Sequence, residues 1–313
     1  MYFFIIVFRK YNSFLVFLQD LRLYTMHHHF RLLLLSAFIL VAAGCSSVKK
    51  MSYSPETGFP VIDQRGQIAI VAHRGFWKSE QGGMSENSIA ALKAAQDAGL
   101  WGSECDIQLT ADGVVIVNHN NDIEGKLIRE HNFADFAGDL LPNGERRPTI
   151  DEYLEQTAKC KTTKLVIEFK KQGSDQREDQ LVDKTIAAMK AHNLYTPERI
   201  LFISFSKHIC ERLAKEHPQF INQFLSSDPT GINENPVNYY ALGINGIDYH
   251  YKMFKAHPEW VKTAHEKGMS VNAWTVNKED DIKAMINLGV DAITTNEPLL
   301  VRELLGNKEY KKK

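Results

Sequence analysis

Residues 103–119 read SECDIQLTADGVVIVNH and contain two β-rich runs, 103–109 and 114–118. Only four residues separate the runs, which is far too few for the helix that a parallel crossover requires. The two runs are therefore predicted to form an antiparallel hairpin. We expect the chain to fold about Ala111 and Asp112.

The first run of this hairpin carries two carboxylates at alternate positions. Because side chains alternate between the faces of a strand, Glu104 and Asp106 lie on one face and Cys105 lies on the other. The predicted turn places His119 roughly opposite Glu104. Two carboxylates on one buried face repel each other unless a cation lies between them.

Outside the hairpin, short β-rich runs alternate with amphipathic helical stretches, which predicts βα units and a parallel sheet. The predicted strands are 68–72, 103–109, 114–118, 165–169, 200–205, 221–225, 246–250, 270–276 and 291–295. The predicted helices are 87–98, 149–158, 179–192, 208–215, 258–267, 278–288 and 298–305. Without the returning hairpin strand, eight strands remain, and eight close a (βα)8 barrel. An open doubly wound sheet is the alternative, but no glycine-rich nucleotide-binding motif follows any predicted strand.

The composition narrows the classes of function. The net charge of −1 gives no reason to expect a nucleic-acid partner. The four cysteines show no C-x-x-C spacing, so a zinc site is not expected. Cys105, Cys160 and Cys210 are interpreted as buried free thiols.

Further charged side chains stand at predicted strand ends. His73 and Arg74 follow the first strand, and Glu168 and Lys170 lie on one face of the strand after the hairpin. These residues are expected to meet Glu104, Asp106 and His119 at the carboxyl ends of the strands, where barrel enzymes keep their sites. Each has a structural alternative, such as an exposed strand face or a cross-strand ion pair. The functional interpretation depends on all of them occurring together.

These residue types indicate phosphate chemistry. Carboxylate oxygens suit Mg²⁺ or Ca²⁺ better than zinc, and arginine and lysine suit a phosphate. Two histidines with pKa values near neutrality suit proton removal and proton delivery.

The chain from about residue 70 to 298 resembles the glycerophosphodiester phosphodiesterase family. The segments that carry the resemblance are HRG (73–75), ENS (86–88), ECD (104–106), DGVVIVNH (112–119), RPTI (147–150), EFK (168–170), WTVN (274–277) and ITTN (293–296). The resemblance implies a distorted (βα)8 TIM barrel of the phospholipase-C-like phosphodiesterase type, with an inserted hairpin. It also implies hydrolysis of glycerophosphodiesters to sn-glycerol 3-phosphate and an alcohol, by way of a cyclic phosphate formed by the glycerol 2-hydroxyl.

The resemblance further implies a role for each site residue. Carried over by position, His73 and His119 are the general acid–base pair, and one divalent cation (Mg²⁺ or Ca²⁺) is held by Glu104, Asp106 and Glu168. The phosphate is bound by Arg74 and Lys170, and Glu86 supports the metal and Arg74. Trp274 contacts the glycerol or shapes the mouth of the site. An aromatic core plug is the alternative for Trp274. The expected partners are a small-molecule phosphodiester and a membrane; neither nucleic acid nor a protein partner is expected.

Three positions depart from the family pattern. Ser85 stands where proline is usual, and Ser88 stands where threonine is commoner. Asn120 follows His119 where the family usually has aspartate. An aspartate would orient the imidazole and raise its basicity, whereas asparagine only orients it.

The sequence leaves two other functions open. Related barrels act as lyases and stop at the cyclic phosphate. A surface lipoprotein could also keep the site only to bind a phosphorylated ligand, although binding alone requires no acid–base pair.

The N-terminal residues are interpreted as a targeting signal rather than as part of the folded domain. Met26 begins a segment with Arg31, an apolar run over 32–43 and Cys45 after small residues, which resembles a bacterial lipoprotein signal. A membrane-spanning helix is the alternative, but the apolar run is short for a bilayer. The lipobox departs mildly from its pattern, because Ala42 occupies the position that prefers leucine.

The predicted organisation follows from that signal. It comprises an upstream extension (1–25), a signal peptide (26–44), a tether lipidated at Cys45 (45–66), a phosphodiesterase barrel (67–306) and a basic tail (307–313). Such a protein is expected in the bacterial cell envelope, anchored to a membrane with its domain on the periplasmic or surface face.

Overall fold

The computed structural model describes residues 52–53, 60–62, 67–228 and 230–306 of the chain. The predicted extension, signal peptide, lipidated Cys45 and basic tail lie outside these residues. Most of the predicted tether also lies outside them. Its described part contains two short strands, Ser52–Tyr53 and Pro60–Val61, which pair antiparallel.

Eight parallel strands of the described part close a barrel. The strands in chain order are β1 (Ser52–Tyr53), β2 (Pro60–Val61), β3 (Ala69–Ala72), β4 (Gly102–Leu109), β5 (Val115–Val117), β6 (Asp122–Ile123), β7 (Lys126–Leu127), β8 (Lys164–Phe169), β9 (Ile200–Ser204), β10 (Asn222–Ser226), β11 (Gly246–His250), β12 (Ser270–Trp274) and β13 (Ala292–Thr295). The barrel order is β3-β4-β8-β9-β10-β11-β12-β13, and β13 pairs with β3 to close the ring. The predicted (βα)8 barrel is confirmed, and the open sheet is excluded by this closure.

Helices connect the barrel strands, as the alternating pattern predicts. They are α1 (Ile89–Asp97), α2 (Ile150–Ala158), α3 (Asp175–Ala191), α4 (Lys207–Glu216), α5 (Pro236–Tyr240), α6 (Tyr251–Ala256), α7 (Glu259–Glu266), α8 (Glu279–Leu288) and α9 (Pro298–Gly306). Side-chain oxygens of Ser88, Thr149, Ser174 and Ser206 accept backbone N–H groups at the starts of α1 to α4. The cap at Ser174 starts α3 four residues before its predicted beginning. The sequence did not predict α5, α6 or the hairpin formed by β6 and β7.

The hairpin of β4 and β5 forms with a register that differs by one residue from the prediction. Leu109 pairs with Val115, so the turn is centred on Asp112 alone. Gly113, with φ of +80°, completes a three-residue loop, and this extra residue shifts the pairing. Extending the ladder would place His119 opposite Cys105, so the predicted position opposite Glu104 is wrong.

The core has two layers. The larger one lies between the barrel and its helices, where outward side chains such as Cys105, Ile107 and Phe202 are fully buried. Inside the barrel, Val71, Val166 and Leu201 belong to a smaller apolar cluster. This cluster closes the interior beneath the polar side chains at the carboxyl ends of the strands, which are the catalytic ends of such barrels.

The three described cysteines differ in burial. Cys105 and Cys210 are buried free thiols, as predicted, whereas the free thiol Cys160 is only half-buried.

Among the described helices, none combines the length and apolar character that a bilayer crossing requires.

Candidate active site

Three carboxylates meet at the carboxyl end of the barrel. Glu104 and Asp106 come from β4, and Glu168 comes from the neighbouring strand β8, where it pairs in register with Asp106. One oxygen from each of the three lies within 4.8 Å of the others. Glu104, Asp106 and Glu168 are 2%, 1% and 8% exposed, respectively. The structure therefore brings together the three side chains that were predicted to hold a metal.

The burial of these acids strongly perturbs their ionisation. Burial and the charges of Asp106 and Glu168 raise the pKa of Glu104 well above its usual range. Burial and the neighbouring Asp106 raise the pKa of Glu168 to about 8. Burial opposes ionisation of Asp106 as well, but Lys170, His119 and Arg74 lower its pKa. Three clustered acids thus share too little positive charge for all to ionise freely.

Two cationic side chains border the cluster. Lys170 Nζ lies 2.9 Å from Glu168 Oε1 and 3.3 Å from Asp106 Oδ1. Arg74 Nη1 donates to Glu86 Oε2 at 2.6 Å, and Arg74 Nε lies 3.7 Å from Asp106 Oδ2. Glu86 thus holds the guanidinium at the mouth, beside the buried acids.

The backbone after β3 is shaped to place Arg74. Arg74 lies in the left-handed region with φ of +57°, and its backbone N–H donates to Glu104 Oε2 at 2.7 Å. Gly75 follows with φ of +79°, and a Cβ added there would lie 2.7 Å from Ala91 Cβ. The glycine therefore allows the loop to pack directly on α1.

Asn87 contributes to the site, although no role was predicted for it. Its Nδ2 donates to Asp106 Oδ2 at 2.9 Å, and its Oδ1 accepts the backbone N–H of Asp106 at 3.2 Å. This double contact fixes the carboxylate that lies between the two cations. Asn87 stands beside Glu86 in one of the segments that carry the family resemblance, but its partner is apparent only from the fold.

His73 extends from the end of β3 toward the same group. Its Nδ1 lies 2.8 Å from Oδ1 of Asn296, at the end of β13. Burial and the charge of Arg74 lower the pKa of His73 to about 4. The imidazole is consequently neutral near pH 7 and able to accept a proton. Asn296 ends the ITTN segment that carries the family resemblance, but no role was predicted for it from the sequence.

His119 reaches the site from the segment after β5. Its Nδ1 lies 2.9 Å from Asn120 Oδ1. Gln108, on the same strand face as Glu104 and Asp106, donates to the backbone carbonyls of residues 118, 119 and 120 at 2.8, 3.3 and 2.6 Å. Burial, Lys170 and Arg74 lower the pKa of His119, while the charge of Asp106 opposes them. His119 therefore lies within the electrostatic reach of the cluster despite the shifted hairpin register.

Aromatic side chains lie at the carboxyl ends of strands farther around the barrel. Trp274, at the end of β12, donates its indole N–H to the backbone carbonyl of Asp248 at 2.9 Å. Its ring meets Phe205 and His250 edge-on, with centroids 5.5 Å away in each case. Trp274 is half-buried and packs against the apolar cluster inside the barrel.

The donor set fits a hard divalent cation. All three clustered ligands are carboxylates, which Mg²⁺ and Ca²⁺ prefer. Glu104 Oε1 is buried and accepts no hydrogen bond from the described residues. With both histidines neutral and every carboxyl ionised, the three acids and Glu86 would carry four negative charges against the two of Arg74 and Lys170. The two charges left over match one divalent cation.

The sequence of this chain matches a known protein family. The model of the glycerophosphoryl diester phosphodiesterase family matches residues 73–300. The glycerophosphodiester phosphodiesterase of Caldanaerobacter subterraneus is 30% identical over 241 residues, covering 73% of this chain and 94% of that protein.

Solved structures of known proteins also match the fold of this chain. The crystal structure of a glycerophosphodiester phosphodiesterase from Parabacteroides distasonis matches with a TM-score of 0.71 and 35% identity, covering 76% of this chain and 96% of that one. A phosphodiesterase from Oleispira antarctica, solved with the product sn-glycerol-3-phosphate, shares the fold with a TM-score of 0.66 at 21% identity, covering 79% of this chain and all of that one.

Proposed function

The chain belongs to the glycerophosphoryl diester phosphodiesterase family, and from this premise we propose that it hydrolyses glycerophosphodiesters to sn-glycerol 3-phosphate and an alcohol. The names of its relatives and the product bound to the Oleispira antarctica enzyme support this reaction. The observation that carries the proposal is the buried group of Glu104, Asp106 and Glu168, which is bordered by two cations and two histidines.

In this proposal Glu104, Asp106 and Glu168 hold one divalent cation, Mg²⁺ or Ca²⁺. When bound, the cation supplies positive charge that stabilises the phosphoryl oxygens as negative charge develops on them. Arg74 and Lys170 add hydrogen-bond donors to the same oxygens. Glu86 keeps the Arg74 guanidinium directed at the mouth through its 2.6 Å contact.

The two histidines divide the proton transfers. Each neutral imidazole directs its Nδ1 at an asparagine oxygen, which leaves Nε2 to exchange a proton with the substrate. One neutral imidazole removes the proton of the attacking hydroxyl with its Nε2 lone pair. The other imidazole first takes up a proton at Nε2, and this imidazolium delivers that proton to the leaving alcohol. Trp274 offers an aromatic surface for the glycerol carbon chain.

The reaction is tested by supplying glycerophosphocholine and glycerophosphoethanolamine and measuring released glycerol 3-phosphate. We expect turnover with Mg²⁺ or Ca²⁺ and none after chelation. His73→Gln is expected to lower kcat/KM by about 10²–10⁴-fold, the usual contribution of a general acid or base. Glu168→Gln should weaken metal activation in the same assay.

A matched control is available for the carboxylate variant. Glu234 is also a buried acid, but it accepts a hydrogen bond from Tyr239 away from the cluster. Glu234→Gln should therefore retain metal activation. Turnover that survives chelation, or an equal loss in both variants, would contradict the metal assignment.

Phosphorus NMR of the product distinguishes hydrolysis from the lyase reaction. Glycerol 3-phosphate should accumulate, with any cyclic phosphate consumed during the reaction. A cyclic ester that persists would favour the lyase. Binding of these diesters without turnover, over a panel of metals, would favour a ligand-binding protein.

We also propose that Cys45 carries lipid and anchors the protein to a membrane of the bacterial envelope. The support is the sequence of residues 26–45, with its basic start, apolar run and small residues before the cysteine. Mass spectrometry of the mature N-terminus should find acyl groups on Cys45. Cys45→Ala should release the protein from the membrane fraction, and an unmodified Cys45 in the mature protein would refute the proposal.

A further inference from the structure

The side chain of Asn296 stands between two groups at the mouth of the barrel. Its Oδ1 lies 2.8 Å from His73 Nδ1 and accepts the indole N–H of Trp77 at 3.3 Å. Its backbone N–H donates to Asn277 Oδ1 at 2.8 Å. The residue is thus fixed through both its main chain and its amide oxygen.

Trp77 determines which way round this amide lies. An indole nitrogen only donates hydrogen bonds, so the Asn296 atom that faces it must be the oxygen. The same oxygen faces His73, and an oxygen of this kind only accepts. His73 Nδ1 must therefore carry a hydrogen, which in the neutral imidazole leaves the lone pair on Nε2.

We infer that Trp77 is a positioning residue that, through Asn296, fixes His73 in the Nδ1–H tautomer. The inference rests on the proposed role of His73 in proton transfer. Only in this tautomer does Nε2 have a lone pair with which to take a proton. If the Asn296 amide were reversed, its NH₂ group would face Nδ1 and favour the opposite tautomer.

Trp77 itself is held firmly enough for this role. The neighbouring Lys78 pairs with Glu297 and lies 5.4 Å from the centroid of the Trp77 ring. Gly82 packs against the loop so closely that an added Cβ would lie 2.7 Å from Trp77 Cα. The loop after β3 is therefore joined to the end of β13 at two adjacent residues.

His119 also faces an asparagine amide, but no indole N–H of the described residues fixes the orientation of that amide. Its Nδ1 faces Asn120 Oδ1 at 2.9 Å. Among hydrogen bonds between described residues, His119 supplies the only one to the Asn120 side chain. The effect of Trp77 is thus expected to be specific to His73.

The tautomer can be observed directly by long-range ¹H–¹⁵N NMR on protein with ¹⁵N-labelled histidine, loaded with Mg²⁺. The chain has 12 histidines, and the His73→Gln spectrum identifies the His73 signals by their loss. In the unmodified protein we expect the protonated nitrogen of His73 to be Nδ1. Trp77→Phe, which keeps an aromatic ring but loses the N–H, should give a mixture with the Nε2–H form.

Two further variants make the experiment specific. Trp274→Phe also removes an indole N–H at the mouth, but this one bonds to Asp248, so the His73 tautomer should not change. Asn296→Asp offers an acceptor in either orientation, because a carboxylate has no NH₂ group. In that background, adding Trp77→Phe should leave His73 in the Nδ1–H form.

Activity gives a second measurement. Trp77→Phe should lower kcat about five-fold, the equivalent of about 1 kcal/mol for one hydrogen bond, and KM should change much less. A His73 that stays wholly in the Nδ1–H form in Trp77→Phe would overturn the inference. If the tautomer shifts but His73→Gln remains fully active, the inference about Trp77 holds and the proposed function of His73 fails.

Discussion

Asn87, Asn120 and Asn296 each place an amide beside a side chain with proposed chemistry. Asn87 holds the Asp106 carboxylate, and the other two face histidine Nδ1 atoms. An amide oxygen orients an imidazole without adding a negative charge to it. The basicity of both histidines is therefore set by burial and by the charged cluster rather than by a carboxylate at Nδ1.

Asn120→Asp tests this account at His119. A carboxylate in place of an amide 2.9 Å from Nδ1 should raise the pKa of His119, because it stabilises the charged imidazolium. An NMR titration of the histidine signals measures the change. His265, which pairs with Asp291 at a different site, serves as an internal control. An unchanged pKa for His119 would mean that residue 120 does not face its ring in solution.

The charged residues of the site could be predicted from sequence, whereas their amide partners could not. Glu104 and Asp106 are two residues apart on a strand, so local geometry alone places them on one face. Asn296 contacts a histidine 223 residues away in the chain. No local sequence pattern extends over such a separation. Trp77 is likewise meaningful only once the amide it contacts is known.

At the scale of elements, the junction of β3 and α1 depends on Gly75. Gly75→Ala should destabilise the protein by about 2–4 kcal/mol, because it combines a left-handed backbone with a Cβ 2.7 Å from Ala91. The midpoint of urea unfolding measures the loss. Gly99→Ala is the matched control, since Gly99 also has positive φ (+61°) but has open space around it.

That control separates backbone strain from packing. Gly99→Ala is expected to cost about 1 kcal/mol, which is the conformational part alone. Equal losses for the two variants would show that the contact with α1 does not require a glycine.

Element prediction succeeded where the hydrophobic period was strong and failed where turn geometry or short length decided the outcome. The eight barrel strands are buried runs with clear boundaries. By contrast, α5 has five residues and α6 has six, too few for a helical period to emerge. The hairpin register was missed because the left-handed Gly113 adds a residue to the turn.

For the whole molecule, the buried acids should make stability depend on pH and on metal. A carboxyl whose pKa is raised on folding binds its proton more tightly in the folded state, so stability is lost as pH rises toward the folded pKa. For Glu168 that loss extends from about pH 4.3, its ordinary pKa, to about 8. The chelated protein should thus unfold at lower temperatures as pH rises from 5 to 8.5.

A bound divalent cation should reverse this trend, because it stabilises the ionised acids. We expect saturating Mg²⁺ or Ca²⁺ to raise Tm at pH 8 by at least 2–4 °C, which is about 1 kcal/mol for a chain of this size. Calorimetric scans with and without chelator measure the effect. Glu168→Gln should flatten the pH dependence of Tm. A Tm independent of both pH and metal would contradict the assignment of these acids.

The contact of His73 with Asn296 has a consequence for biosynthesis. A ribosome synthesises β3 before β13, and the two strands become neighbours only when the ring closes. An unfinished chain already contains all three acids but not the amide that aligns its first imidazole. The nascent protein is therefore expected to stay inert until β13 has been synthesised and the ring has closed, so that no truncated fragment lacking β13 can degrade phosphodiesters efficiently.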